Sequence, residues 1–229
     1  MQEILNQSLN LGATFVEQKL GPVRFRDYLL NFGLGERTGI DLPSEGVGLV
    51  GNLKKTPPVD VELANISFGQ GIAITPVETV RALCVLANGG YLIQPHLVKK
   101  IDYLNELSRS IQPVNGRQVI KKETSERITR MLVTVVDQKL ANGKAKMEHY
   151  SIAAKTGTAQ MANPTTGKYY PDRYLHSFFG YFPAYDPKFL VFMYIVYPKG
   201  VKYSSETLTE PFINISRSLL NYYQVPPDR

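Results

Sequence analysis

The tetrapeptide Lys155-Thr156-Gly157-Thr158 places an ammonium, two hydroxyls and a side-chain-free stretch of backbone within four residues. At the end of a strand these groups can converge on one substrate carboxylate, and a grip of that kind beside a reacting carbonyl points to acyl transfer. At average residue usage the string arises by chance in roughly one chain in several hundred of this length. Its structural alternative is a lysine at a strand end followed by a turn glycine, so the company the motif keeps decides between the two.

A second element is Ser8-Leu9-Asn10, just ahead of a glycine. Serine and asparagine two apart can project together from the loop of a helical hairpin, the hydroxyl relaying a proton and the amide holding a substrate carbonyl. Ser-x-Asn alone arises in roughly one such chain in two, and its bland reading is a capping pair. Tyr103-Leu104-Asn105 offers a tyrosine in the serine's place, but it lies after a strand and before a polar stretch, where those residues mark a turn.

The elements that must position these groups follow from periodicity and punctuation. Apolar Phe15, Val16 and Leu20 give a helix stopped by Gly21, and Pro22 opens another through Phe32. Glycine and proline crowd residues 33–60, which read as a long irregular excursion. Thr75, Pro76 and Glu78 announce a capped helix that ends at Gly89-Gly90. A strand is expected over 91–101, then a polar hairpin or loop, then a helix over 123–138. Strands over 150–158, 176–182 and 189–197 follow, the last two forming a hairpin through Ala184-Tyr185-Asp186-Pro187. A closing helix over 211–223 presents Phe212, Ile215, Leu219, Leu220 and Tyr223 to that sheet. The class is α+β, with an antiparallel sheet packed between helices.

Composition bounds the reading without fixing it. The 229 residues are 43% hydrophobic, enough to bury a core. Lysine and arginine number 26 against 20 acidic residues, a mild and scattered surplus that fits a carboxylate-bearing substrate or an anionic membrane surface nearby and forms no basic stripe for nucleic acid. The one cysteine, Cys84, lies in an apolar run and reads as inert core. His96, His149 and His176 are too scattered for a metal site, and no phosphate loop is present, so no metal or cofactor is expected.

Taken together, Lys-Thr-Gly behind Ser-x-Asn belongs to the penicillin-binding proteins and serine β-lactamases, and the chain resembles the transpeptidase domain of class B penicillin-binding proteins. The resemblance runs in order through Phe32-Gly33-Leu34-Gly35, Thr38-Gly39-Ile40-Asp41-Leu42-Pro43, Phe68-Gly69-Gln70-Gly71 with Thr75-Pro76, Leu86-Ala87-Asn88-Gly89-Gly90 and Lys155-Thr156-Gly157-Thr158-Ala159-Gln160. It implies the penicillin-binding protein and serine β-lactamase fold, incomplete here, with residues 1–229 forming the C-terminal part of the domain. It also implies an acyl-serine mechanism: a serine attacks the bond between two terminal D-alanines of a peptidoglycan stem peptide, D-alanine leaves, and a neighbouring amine resolves the ester. β-Lactams imitate that terminus. By the same resemblance Ser8 shuttles a proton, Asn10 holds a substrate carbonyl and Lys155 tunes both through its field. Thr156 and Thr158 bind the substrate carboxylate, Gly157 lets substrate lie along the strand edge, and the Thr158 N–H helps stabilise the oxyanion. Division or elongation proteins of the wall machinery are implied partners, and the implied place of work is the extracytoplasmic face of a bacterial inner membrane.

One departure is large. Ser-x-x-Lys, the nucleophile motif of the family, occurs nowhere in the sequence. The simplest expectation is that the attacking serine lies on upstream sequence, that this chain alone does not acylate, and that without the nucleophile helix it exposes apolar surface and is of low stability. The alternatives are a non-catalytic protein that keeps the cleft to bind wall stems or partners and, less favoured, a serine β-lactamase.

Overall fold

Glycines, prolines and caps cut the chain into the elements that its apolar spacing asks for. In a computed structural model describing residues 1–104 and 107–229, these run α1 (Gln2–Gln7), α2 (Asn10–Leu20), α3 (Pro22–Asn31), α4 (Asp60–Ser67), α5 (Pro76–Ala87), β1 (Tyr91–Gln94), β2 (Lys100–Asp102), β3 (Ser108–Ser110), β4 (Val114–Gln118), α6 (Lys122–Gln138), β5 (Ala153–Ala162), β6 (Tyr169–Phe182), β7 (Phe189–Val196) and α7 (Ser204–Tyr222). The chain groups into two units: Thr14–Ser67 with Gly71–Ser125, and Met1–Ala13 with Phe68–Gln70 and Glu126–Arg229.

In the first unit, α3 opens at Pro22, whose missing N–H costs a first helical turn nothing. The excursion over 33–60 is irregular apart from a 3-10 turn, Gly51–Lys54. Behind it comes α4, which periodicity missed because the helix is only eight residues long. Leu63 and Ile66 of α4 join Leu34, Val50 and Leu53 in one buried cluster. The α5 cap is as expected: the Glu78 N–H donates to Thr75 Oγ1 (3.2 Å) and the Thr75 N–H donates to Glu78 Oε2 (2.8 Å). Glu78 Oε1 also accepts the Gly35 N–H at 2.9 Å, so the buried carboxylate ties the excursion to α5. Thr75→Ala should therefore cost about 1 kcal/mol, read as a lower melting midpoint.

The single strand expected over 91–101 is instead two short ones. Pro95 has no N–H to give a ladder, so pairing stops at Gln94. β1 pairs antiparallel with β4, and β2 with β3; both partners fall in the stretch read as a polar hairpin or loop. Tyr103 is half exposed there, while Asn105, its companion in the decoy motif, lies outside the described residues.

The second unit holds the sheet in the order β5-β6-β7, antiparallel throughout. Opposed residues in an antiparallel pair share a face, which sorts the strands into two sets. Phe178, Gly180 and Phe182 of β6 meet α7, where Phe212 stacks on Phe178 at 4.4 Å between ring centroids and meets Phe182 edge-on at 6.0 Å. On the alternate face the Tyr181 hydroxyl hydrogen-bonds Thr129 of α6 at 2.8 Å, and burial pushes the phenol up to about 12. The sheet is therefore packed between helices.

Two expectations about α7 need correction. The helix starts at Ser204, so Pro211 lies within it; the proline forgoes one N–H but keeps a helical φ. Counted from Ser204, the buried stripe is Leu208, Phe212, Ser216 and Leu220, spaced by four. Ile215 and Tyr223, assigned to that face on a later helix start, are 38% and 60% exposed.

Candidate active site

Ser8 stands where α1 ends. Its backbone is left-handed (φ 50, ψ 50), and the following N–H, from Leu9, donates back to the Ile4 carbonyl at 3.0 Å. A left-handed residue closes a helix, but for a residue with a Cβ it costs about 1–2 kcal/mol. The turn leaves Ser8 exposed, and Asn10 begins α2 two residues later, also exposed. Ser-x-Asn thus occupies the short turn between the end of α1 and the start of α2.

Lys155 is the third residue of β5, an edge strand among the described residues. Its ammonium donates to Ser8 Oγ and to the Thr156 carbonyl oxygen, the latter at 3.0 Å. Among the described residues no carboxylate pairs with it, and burial holds its pKa below the ordinary lysine value of 10.5. The charge is therefore balanced only by neutral oxygens, the condition in which it attracts an anionic ligand most strongly.

Strand alternation places Lys155 and Gly157 on one face of β5, and Thr156 and Thr158 on the other, which α7 covers. Gly157 pairs with Ser177, and a Cβ at 157 would come within 2.6 Å of Ser177 Oγ. Thr158 is exposed, and its Oγ1 accepts the Ser204 N–H at 3.1 Å. A cavity of about 410 Å³ draws on both faces, lined by Ser8, Lys155 and Thr156 together with Lys139, Asn142 and Glu206. The structure thus gathers Ser8, Lys155 and Thr156 around one cavity and leaves Asn10, Gly157 and Thr158 outside its lining.

Sequence reasoning missed Lys139, Asn142 and Glu206. A partial signal existed for Glu206, whose Oε2 accepts the Tyr203 N–H at 3.2 Å, one half of a capping box that the Tyr203 side chain does not complete. Tyrosine in place of the usual serine or threonine hid it. Asn142 lies in a turn with left-handed backbone at both Ala141 and Asn142, which no local pattern announced. Among the described residues no group of three or more His, Cys, Asp or Glu could hold a metal ion, and no helix is long and apolar enough to cross a membrane.

The lowered Lys155 pKa has a pH consequence with a definite sign. Folding weakens this amine's hold on its proton, so the unfolded chain binds more protons in the window just beneath 10.5, and stability rises with pH there. Affinity for a carboxylate should fall over the same window as the charge is lost. A melting series from neutral to alkaline pH, with a Lys155→Met variant that lacks the rise, checks the assignment.

Against known proteins, the family model described as the penicillin binding protein transpeptidase domain matches residues 1–217. The chain is 36% identical over 228 residues to stage V sporulation protein D of Bacillus subtilis, covering 98% of this chain and 34% of that protein. It is 32% identical to penicillin-binding protein PbpB of Mycolicibacterium smegmatis, covering 97% of this chain and 35% of the relative. Among solved structures it matches penicillin-binding protein 3 of Mycobacterium tuberculosis complexed with aztreonam, at a TM-score of 0.88 and 28% identity over 100% of this chain and 52% of that one. The same protein complexed with ampicillin gives a TM-score of 0.89 at 28% identity, over 99% of this chain and 52% of that one. The chain thus spans about a third of the length of these curated relatives and about half of the solved chains. The fold, the Lys-Thr-Gly strand and the match over nearly the whole sequence agree: the chain belongs to the penicillin-binding protein transpeptidase domain family.

Proposed function

We propose that these 229 residues carry the substrate-holding part of a D-Ala-D-Ala transpeptidase that cross-links peptidoglycan through an acyl-serine. The observation that carries this reading is the Lys155 ammonium, partly buried, in no ion pair with a carboxylate among the described residues, and donating to Ser8 Oγ beside the cavity. In the reaction the stem-peptide carboxylate lies against the hydroxyls of Thr156 and Thr158, within the field of the Lys155 charge. Ser8 passes a proton toward the leaving D-alanine, its hydroxyl oriented by Lys155. Asn10 holds a substrate carbonyl, Gly157 gives the substrate main chain access to the β5 edge, and the Thr158 N–H supports the oxyanion. The attacking serine is supplied by a segment outside these residues, because no serine here has a lysine three positions on, and residues 1–229 form the C-terminal part of the domain. β-Lactams occupy the same site, as the aztreonam and ampicillin complexes of a relative suggest. The working place is extracytoplasmic, on the inner membrane, with division or elongation proteins of the wall machinery as partners.

The missing Ser-x-x-Lys favours a second reading, a non-catalytic protein that keeps the cleft and binds wall stems. Intact-mass spectrometry after incubation with a fluorescent penicillin separates the two, on this chain and on a version extended upstream. An adduct on the extended form alone is the expected result. An adduct on Ser8 of the short chain would overturn the assignment of the nucleophile, and no adduct on either form would leave the binding protein.

Ser8→Gly isolates the hydroxyl from the fold. Glycine relieves the left-handed strain at position 8 while adding unfolded-state entropy, so the melting free energy should change by less than about 1 kcal/mol. Penicillin acylation of the extended form should fall about 100-fold.

A further inference from the structure

His176 of β6 faces Thr158 of β5 directly across the strand pair and is fully buried. Its ring reaches both sides of the α7 N-terminus. Nε2 lies 2.9 Å from the Lys202 carbonyl oxygen, which can only accept, so Nε2 carries the proton and donates. Nδ1 lies 2.9 Å from Thr207 Oγ1, one turn into α7. Between these anchors sits Ser204, also fully buried, whose hydroxyl donates to the Ser177 carbonyl at 2.6 Å and whose N–H donates to Thr158 Oγ1 at 3.1 Å.

The direction of that last bond matters. A threonine oxygen that accepts a backbone N–H must send its own proton elsewhere, and Thr158 is exposed, so its hydroxyl is set to donate outward. Accepting one hydrogen bond also polarises the hydroxyl into a better donor. The Ser204 N–H can play this part only while residues 202–207 stay in register with β6, and His176 is the side chain bonded on both flanks of Ser204.

We propose that His176 is a positioning residue for carboxylate recognition: by clamping Lys202 and Thr207 it fixes the Ser204 N–H on Thr158 Oγ1 and presents the Thr158 hydroxyl as a donor to the terminal carboxylate of the stem peptide. The proposal rests on the reading of Thr158 as a carboxylate ligand given above. It predicts a role in selectivity and not only in stability, because what the clamp sets is the hydrogen-bond direction at one atom.

The test compares binding of an acetylated Lys-D-Ala-D-Ala peptide with that of its C-terminal carboxamide, by NMR titration of the full 229-residue chain. The unsubstituted chain is expected to prefer the carboxylate by about tenfold, the scale of one charge-assisted hydrogen bond. His176→Leu should remove the share of that preference that Thr158 supplies, leaving the share of Lys155 and Thr156, while carboxamide affinity changes less than about twofold. His176→Gln, which can still donate to the Lys202 carbonyl, should restore part of the preference. Thr207→Val removes the other anchor without emptying the buried ring site, so it carries the test if His176→Leu does not fold. Folded His176→Leu or Thr207→Val chains that keep the full preference overturn the proposal; if Thr158→Val loses the preference while they keep it, the carboxylate role of Thr158 stands and the clamp falls. An unsubstituted chain that does not distinguish the two peptides overturns the carboxylate reading, and the clamp with it.

Discussion

Lys155→Met in the upstream-extended protein is expected to lower the second-order rate of penicillin acylation by about 100- to 1,000-fold, the usual cost of removing one charged group aimed at a reacting centre. Methionine matches the length and much of the volume of the lysine stem, so the half-buried channel beside β5 stays filled. What is lost is the charge and both of its hydrogen bonds, to Ser8 Oγ and the Thr156 carbonyl. Folding should be slightly favoured, because burial of this ammonium opposes its charged state. A variant that melts no lower than the parent yet acylates hundreds of times more slowly would separate the two roles. Acylation within a few-fold of the parent would mean that Lys155 has a structural role alone.

The largest expected loss of stability lies behind the sheet, at Phe212. Its ring is fully buried, stacked on Phe178 and edge-on to Phe182, and it fills the space that Gly180 leaves open: a Cβ at 180 would come within 2.4 Å of the Phe212 ring. Phe212→Ala removes the ring and leaves a cavity between α7 and β6, at a cost of about 3–5 kcal/mol. For a chain of this size that is a drop of roughly 10 °C in melting midpoint. Because α7 also contributes Ser204 and Glu206 near β5, ligand binding should weaken along with stability. Calorimetry of the pair of proteins checks the first effect, and a drop under about 1 kcal/mol would contradict the packing described.

The fold was legible wherever a local signal was complete. Thr75, Pro76 and Glu78 announced α5 to the residue because a capping box needs nothing beyond its own four positions. The hairpin of β6 and β7 followed from strand residues on either side of a short turn. Legibility failed where the partner is distant in sequence: β4 is a strand only because β1 pairs with it, Tyr91 opposite Gln118, while β2 and β3 form a local pair in the stretch read as a polar hairpin or loop. α7 was started too late because a proline is a strong breaker in a local reading, whereas the buried stripe from Leu208 to Leu220 holds the helix through it. The site divides the same way. Ser8 and Lys155 were visible as residue types in a pattern, while Glu206 and His176 are placed by contacts that only the folded sheet and α7 create.

Cys84 lies on α5, and burial pushes its thiol up to about 11. At neutral pH only about one molecule in ten thousand then carries the thiolate, the form that attacks peroxides and disulfides and binds metals. The sole sulfhydryl of the chain is thus held almost wholly as the thiol at neutral pH, which disfavours a crosslink between copies or oxidation to a sulfenic acid.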